Sequence, residues 1–204
     1  MKLVLATTNP GKVRELTDMV RKARLDITVC GLMDYPDYKS PIEDGETFGE
    51  NARIKAVAAA KALGEVVLAD DSGLCVDALG GAPGVYSARF EGEGHNDAAN
   101  IKKLLECMKD VPDDKRQARF VCSLCLAFPN GDFFVAEGDC CGSIAREKRG
   151  KFGFGYDPVF LLPDGRMMAE LDEMEKNLIS HRGEAYKLVI PQLRALVKAP
   201  KQTL

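Results

Sequence analysis

Histidine is scarce: only His95 and His181 occur in 204 residues. The pair Cys122-x-x-Cys125 therefore lacks imidazole partners for a zinc centre, and positions three apart in a strand point to opposite faces. The seven cysteines are odd in number and lack the regular spacing of a disulfide framework, which fits a reducing compartment. No stretch approaches the length of a membrane span. The strand after Met1 is too short for a secretion signal, so a cytoplasmic protein without a membrane partner is expected. With a net charge of -3 and both signs mixed along the chain, the basic footprint of a nucleic-acid binder is missing. A small anionic ligand needs only a local cluster of positive groups. Repeats, low-complexity blocks and linkers are absent too, so residues 1–204 read as one domain, or at most two lobes around a shared sheet.

What is there alternates between strands and helices. Leu3-Val4-Leu5 leads into "ATTNPGKV" (6–13), then Val13, Leu16 and Val20 recur at helical spacing. Val29–Leu32 reads as a short second strand. Thr47 and Glu50 form a capping box for an alanine-rich helix ending at Gly64, with Asn51 and Lys55 sharing a face away from its apolar stripe. Val66–Ala69 is continuously apolar, as in a central strand, and runs into Asp70-Asp71-Ser72-Gly73. A third helix starts at Asn96. Ala118 to Phe128 alternates, with Ala118, Phe120, Cys122, Leu124, Leu126 and Phe128 on one face, and Asn130-Gly131 turns a hairpin. A C-terminal helix contains Pro191, which is expected to kink or end it. The pattern predicts an α/β fold with a mixed central sheet flanked by helices.

"ATTNPGKV" is half of a phosphate-binding P-loop. Gly11 and Lys12 fit, but Ala6 replaces the first glycine and Val13 the magnesium-binding hydroxyl. A strand-to-helix turn nevertheless aims backbone amides and the helix dipole at an anion. Asp70 and Asp71, placed at the carboxyl end of the strand, resist joint burial as anions unless a cation neutralises them. A hard divalent ion does this, and Glu43 or Glu46 can complete its oxygen ligands.

In order along the chain, "TTNPGK" (7–12), "EDGETFGENA" (43–52), "LADDSGL" (68–74), "LGGAPGVYSARF" (79–90), "GFGYDPVF" (153–160) and "EKNLISHR" (175–182) resemble the inosine triphosphate pyrophosphatases. These enzymes cleave aberrant purine nucleoside triphosphates such as ITP, dITP and XTP to the monophosphate and pyrophosphate. The resemblance implies an elongated two-lobed domain with the active-site cleft between the lobes, a Mg2+ cofactor and a homodimer. By position it makes Thr7, Thr8, Asn9, Pro10, Gly11 and Lys12 the grip on the triphosphate. Asp71 becomes general base and metal ligand, with Glu43 the second metal carboxylate and Asp70, Ser72 and Lys55 around them. Phe154, Gly155, Tyr156, Asp157, Lys176, His181 and Arg182 match the base-recognising positions. Donors at Lys176, His181 and Arg182 suit the 6-oxo group of inosine and xanthine, where adenine presents a donor of its own. Guanine is expected to fail because its 2-amino group finds no acceptor.

Phe152, where related chains carry a small residue, departs from the pattern, as does Pro191. The rival readings are a pyrophosphatase for modified pyrimidine or methylated nucleotides and a purine nucleotide sensor without catalysis.

Overall fold

The computed structural model describes residues 1–92 and 96–198, so His95 lies outside the described residues. The strands are β1 (Lys2–Leu5), β2 (Thr28–Gly31), β3 (Val67–Val76), β4 (Gln117–Ala127), β5 (Phe133–Ile144) and β6 (Phe160–Leu161). The helices are α1 (Pro10–Lys22), α2 (Phe48–Leu63), α3 (Asp97–Cys107), α4 (Glu173–Ile179) and α5 (His181–Lys198). One sheet runs in the order β2-β1-β3-β4-β5-β6. Because β1 pairs parallel with β2 and β3 while β6 runs antiparallel to β5, it is the mixed sheet the sequence pattern predicts. The chain forms two compact units. The first comprises Met1–Asp71, Ser123–Glu137 and the chain from Ala185 on; the second comprises Ser72–Cys122 and Gly138–Glu184.

In the first unit, Asn9 caps α1 by accepting the Gly11 amide at 2.8 Å, with Pro10 in the first helical turn, where a missing N–H costs nothing. The Thr47 and Glu50 capping box starts α2, and Gly64, at φ 65°, closes it. Ala52, Ala56, Ala59 and Ala60 are fully buried against Val4, Val67, Ala69, Cys125 and Ala127. Alanine methyls dominate this face of α2, with Val57 and Leu63 packed beside them.

The second unit has its own core, in which Leu74, Ile101, Leu104, Phe120, Ile144 and Phe160 pack together. Arg116 is buried there and donates to the carbonyls of Ile144 (2.6 Å) and Met108 (2.6 Å), tying β4, the end of β5 and the end of α3.

Three expectations are corrected. The aspartates sit in the middle of β3, not at its carboxyl end, because Leu74 and Val76 continue the strand as buried residues. The one-faced alternation in β4 gives way to burial at every position from Phe120 on, since the intervening residues Val121, Ser123, Cys125 and Ala127 are small or apolar enough to be covered too. Pro191 does not end α5, which continues to Lys198.

Candidate active site

An acidic cluster is built within the first unit. After Ala6 donates to the Leu68 carbonyl (2.8 Å), β1 leaves β3 and turns into α1, so Ala69–Asp71 extends past the end of its neighbour. Strand alternation then sends the two aspartates in opposite directions. Asp70, 4% exposed, receives the Lys12 ammonium at 2.9 Å. Asp71 faces α2, where Lys55 Nζ lies 3.2 Å from its Oδ1 and 2.7 Å from Glu43 Oε2. Each aspartate thus has a lysine of its own, rather than both sharing one cation. Of the two glutamates left open by the sequence, Glu43 is the one brought to Lys55; the backbone amide of Glu46 instead donates to Glu50.

Burial pushes the Asp71 carboxyl above its ordinary pKa, and the attraction of Lys55 does not cancel it. Burial also works against the charge on Lys55, yet Asp71 and Glu43 together hold its ammonium above the usual value. Asn51, one turn before Lys55, is buried. Its side chain accepts the Gly45 amide (2.8 Å) and hydrogen-bonds Asp71, so it anchors the loop that carries Glu43 beside the aspartate. The sequence placed Asn51 on the right face but assigned it no role.

The turn Thr7–Lys12 is open to solvent apart from partial cover at Thr7, Gly11 and Lys12. Within it, Thr7 Oγ1 accepts the Asn9 amide at 3.1 Å and Asn9 accepts that of Gly11, so two side chains preset the backbone. This is a different device from a P-loop.

The second unit contains a cavity of about 130 Å³ lined by residues that include Ser72, Asp97, Phe154, Tyr156, His181 and Arg182. Asp157, buried, accepts the Phe154 amide (2.9 Å) and the Lys176 ammonium, and so folds the turn Gly153–Asp157 on itself. Phe154 remains half exposed, with Lys176 Nζ 4.7 Å and Arg182 Cζ 5.8 Å from its ring centroid. A face so placed suits stacking on a planar ring, and the cations reinforce it. His181 stacks on Phe120 with centroids 4.8 Å apart, and Arg182 Nη2 reaches Ser72 Oγ at 3.3 Å. His181 and Arg182 begin α5 because Ser180 breaks away from α4 and caps the next helix, its hydroxyl accepting the Gly183 amide at 3.1 Å.

Three supporting contacts escaped the sequence. Asp97 accepts the Gly155 amide (2.7 Å) from the first turn of α3; Tyr156 donates to the Ser87 carbonyl (2.8 Å); Phe120 backs His181. Only contact across tens of residues reveals them. Phe152, by contrast, is half exposed with Lys151 over its ring, and is not among the residues that line the cavity. The thiol of Cys125 is pushed up to about 12 by burial and is inert as a nucleophile at neutral pH.

Gly153 has φ 76°, and a Cβ there lands on the Asp157 carboxylate. Gly153→Ala is expected to lose about 1–3 kcal/mol of stability in urea titration. Unchanged stability would mean that Asp157 does not hold this turn.

The sequence profile of the Ham1 family matches residues 3–192. A protein of Desulforamulus reducens named dITP/XTP pyrophosphatase is 52% identical over 197 residues, 96% of this chain and 97% of its own. One of Bacillus cereus with the same name is 50% identical over 189 residues, 91% of each chain. Among solved structures, a HAM1 protein from Coxiella burnetii has a TM-score of 0.89 at 42% identity, covering 96% of this chain and 99% of that one. The Ham1 protein of Staphylococcus aureus has a TM-score of 0.87 at 41% identity, covering 96% and 100%.

Proposed function

From a chain that belongs to the Ham1 family, we infer a nucleoside triphosphate pyrophosphatase that hydrolyses ITP, dITP and XTP to the monophosphate and pyrophosphate. The single observation that carries the chemistry is the convergence of Glu43 and Asp71 on one point, marked by the Lys55 ammonium at 2.7 and 3.2 Å. Two carboxylates that reach the same cation suit a hard divalent ion, which takes its remaining ligands from water and substrate phosphates. Glu43 and Asp71 hold Mg2+ in this reading, and the ion, when bound, offsets the charge that develops on the phosphates.

The protein's own groups do the rest. Lys12 and the turn Thr7–Gly11 bind the triphosphate at the start of α1, where amides and the helix dipole favour an anion. Asp71 orients a water and takes its proton as that water attacks the α-phosphorus. Pyrophosphate departs from the Lys12 side. Asp70 holds the Lys12 side chain in place, as the 2.9 Å contact between them supports. No acyl or phosphoryl enzyme forms, since attack by water suffices.

In the second unit Phe154 stacks on the purine, while Lys176, His181 and Arg182 donate toward O6. Asp157 steadies both Phe154 and Lys176, and Gly155 and Tyr156 line the same cavity. No helix among the described residues is long and apolar enough to cross a membrane, and all seven cysteines are free. A cytoplasmic homodimer completes this reading, and light scattering of the purified protein measures the dimer.

The test is pyrophosphate release from ITP, dITP, XTP, ATP and GTP, with Mg2+ and with EDTA. The three aberrant nucleotides are expected to react more than about tenfold faster than ATP or GTP, because a donor meeting the adenine amino group, or a guanine 2-amino group without an acceptor, forfeits a buried hydrogen bond. EDTA should stop the reaction. Faster cleavage of a pyrimidine or methylated nucleotide would favour the first rival reading, and tight ITP binding without pyrophosphate release the second.

A further inference from the structure

Lys55 is placed where a metal-site residue of the same charge as the metal is least expected. Its side chain is 13% exposed and its ammonium lies between the two carboxylates assigned to the cation, 2.7 Å from Glu43 and 3.2 Å from Asp71. Asp70 adds further attraction. An ammonium at those distances draws on the same oxygens that a divalent ion needs at roughly 2.0–2.1 Å, and like charges cannot both sit there. The lysine rises from α2, whose start is fixed by the Thr47 and Glu50 capping box and whose neighbouring Asn51 ties down the Glu43 loop. The carboxylates are thus held together without a metal, with one of their two charges offset from within.

We propose that Lys55 is a resident counter-ion that keeps the divalent cation out until a polyphosphate arrives, so that metal and nucleotide bind as a coupled pair. The proposal rests on the assignment of Glu43 and Asp71 as cation ligands made above. The incoming triphosphate supplies both things the exchange requires: an anionic partner for the displaced ammonium and extra oxygen ligands for the metal. Free protein then binds metal weakly, and metal and nucleotide raise one another's affinity by the same factor. An opposite charge this near favours an ionised carboxylate by roughly one to three powers of ten, and a divalent cation must displace that partner to take the same oxygens.

Mn2+ binding to the full-length protein, followed by electron paramagnetic resonance without nucleotide, reads this directly. Lys55→Met is expected to bind Mn2+ at least about tenfold more tightly than wild type, and Glu43→Gln added to it to abolish the gain. The affinity increase on adding the α,β-methylene analogue of ITP should be larger in wild type than in Lys55→Met. Mn2+ affinity in Lys55→Met equal to or weaker than wild type would overturn the proposal and make Lys55 a support for the carboxylates. Should that variant not fold, acylation of Lys55 in wild type decides: saturating Mg2+ plus the analogue is expected to change its labelling rate severalfold, and an unchanged rate refutes displacement. Wild-type pyrophosphate release together with no gain in Mn2+ affinity refutes the role of Lys55 alone. Lack of release refutes the enzyme reading itself.

Discussion

Asp71→Asn is expected to release pyrophosphate from ITP about 10²–10⁴-fold more slowly than wild type at saturating nucleotide, the range general-base catalysis supplies. The amide keeps the shape of the side chain and can still accept a hydrogen bond from Lys55, but it cannot take a proton from water. Because burial already disfavours the charge at Asp71, its removal should not destabilise the fold, and the melting temperature should stay near that of wild type. Slow turnover in a well-folded variant that still binds both the nucleotide analogue and Mn2+ would identify Asp71 as the base. Activity within about tenfold of wild type would remove it from that role, because loss of a base costs more than that. It would leave the cation as the principal activator of water.

Lys12→Met is expected to lower turnover by about 10²–10³-fold, the cost of deleting one donor aimed at developing negative charge. A second effect separates this lysine from an ordinary surface cation. Its partner Asp70 is 4% exposed, so removing the ammonium takes away a charge-assisted hydrogen bond from a buried carboxylate and should cost about 1–3 kcal/mol of stability. Adding Asp70→Asn to Lys12→Met should restore much of the stability without restoring activity, because the amide has no charge to compensate. If the double variant recovers activity as well, Lys12 acts only by neutralising Asp70, and the triphosphate is gripped by the turn amides alone.

Much of the scaffold was legible because it is local. The capping box at Thr47 and Glu50, the cap at Asn96, the stop at Gly64 and the hairpin at Asn130-Gly131 are decided within four or five residues, and each appears where the pattern placed it. The length of β3 was misread because Asp70-Asp71-Ser72-Gly73 is polar in the manner of a turn. Pairing within a sheet overrode that local signal, as Leu74 and Val76 found a core to enter. Pro191 does not end its helix for a related reason: the rest of α5, with Ala185, Tyr186, Val189 and Leu193 buried, outweighs one missing backbone bond.

By itself the amino-acid order determined the mixed α/β class, the strand-to-helix turn before Lys12, and the set of charged and aromatic residues that mark the family. These depend on short-range rules and on residue identity, which the order carries in full. Only the tertiary structure decided which carboxylate meets which lysine: Glu43 rather than Glu46 at Lys55, and Asp70 at Lys12 rather than beside Asp71. It also recruited Asn51, Asp97, Ser180 and Phe120 as supports. Electrostatic partnership falls off within a few ångströms, and distances of that size between segments far apart in the chain exist only once the backbone has folded.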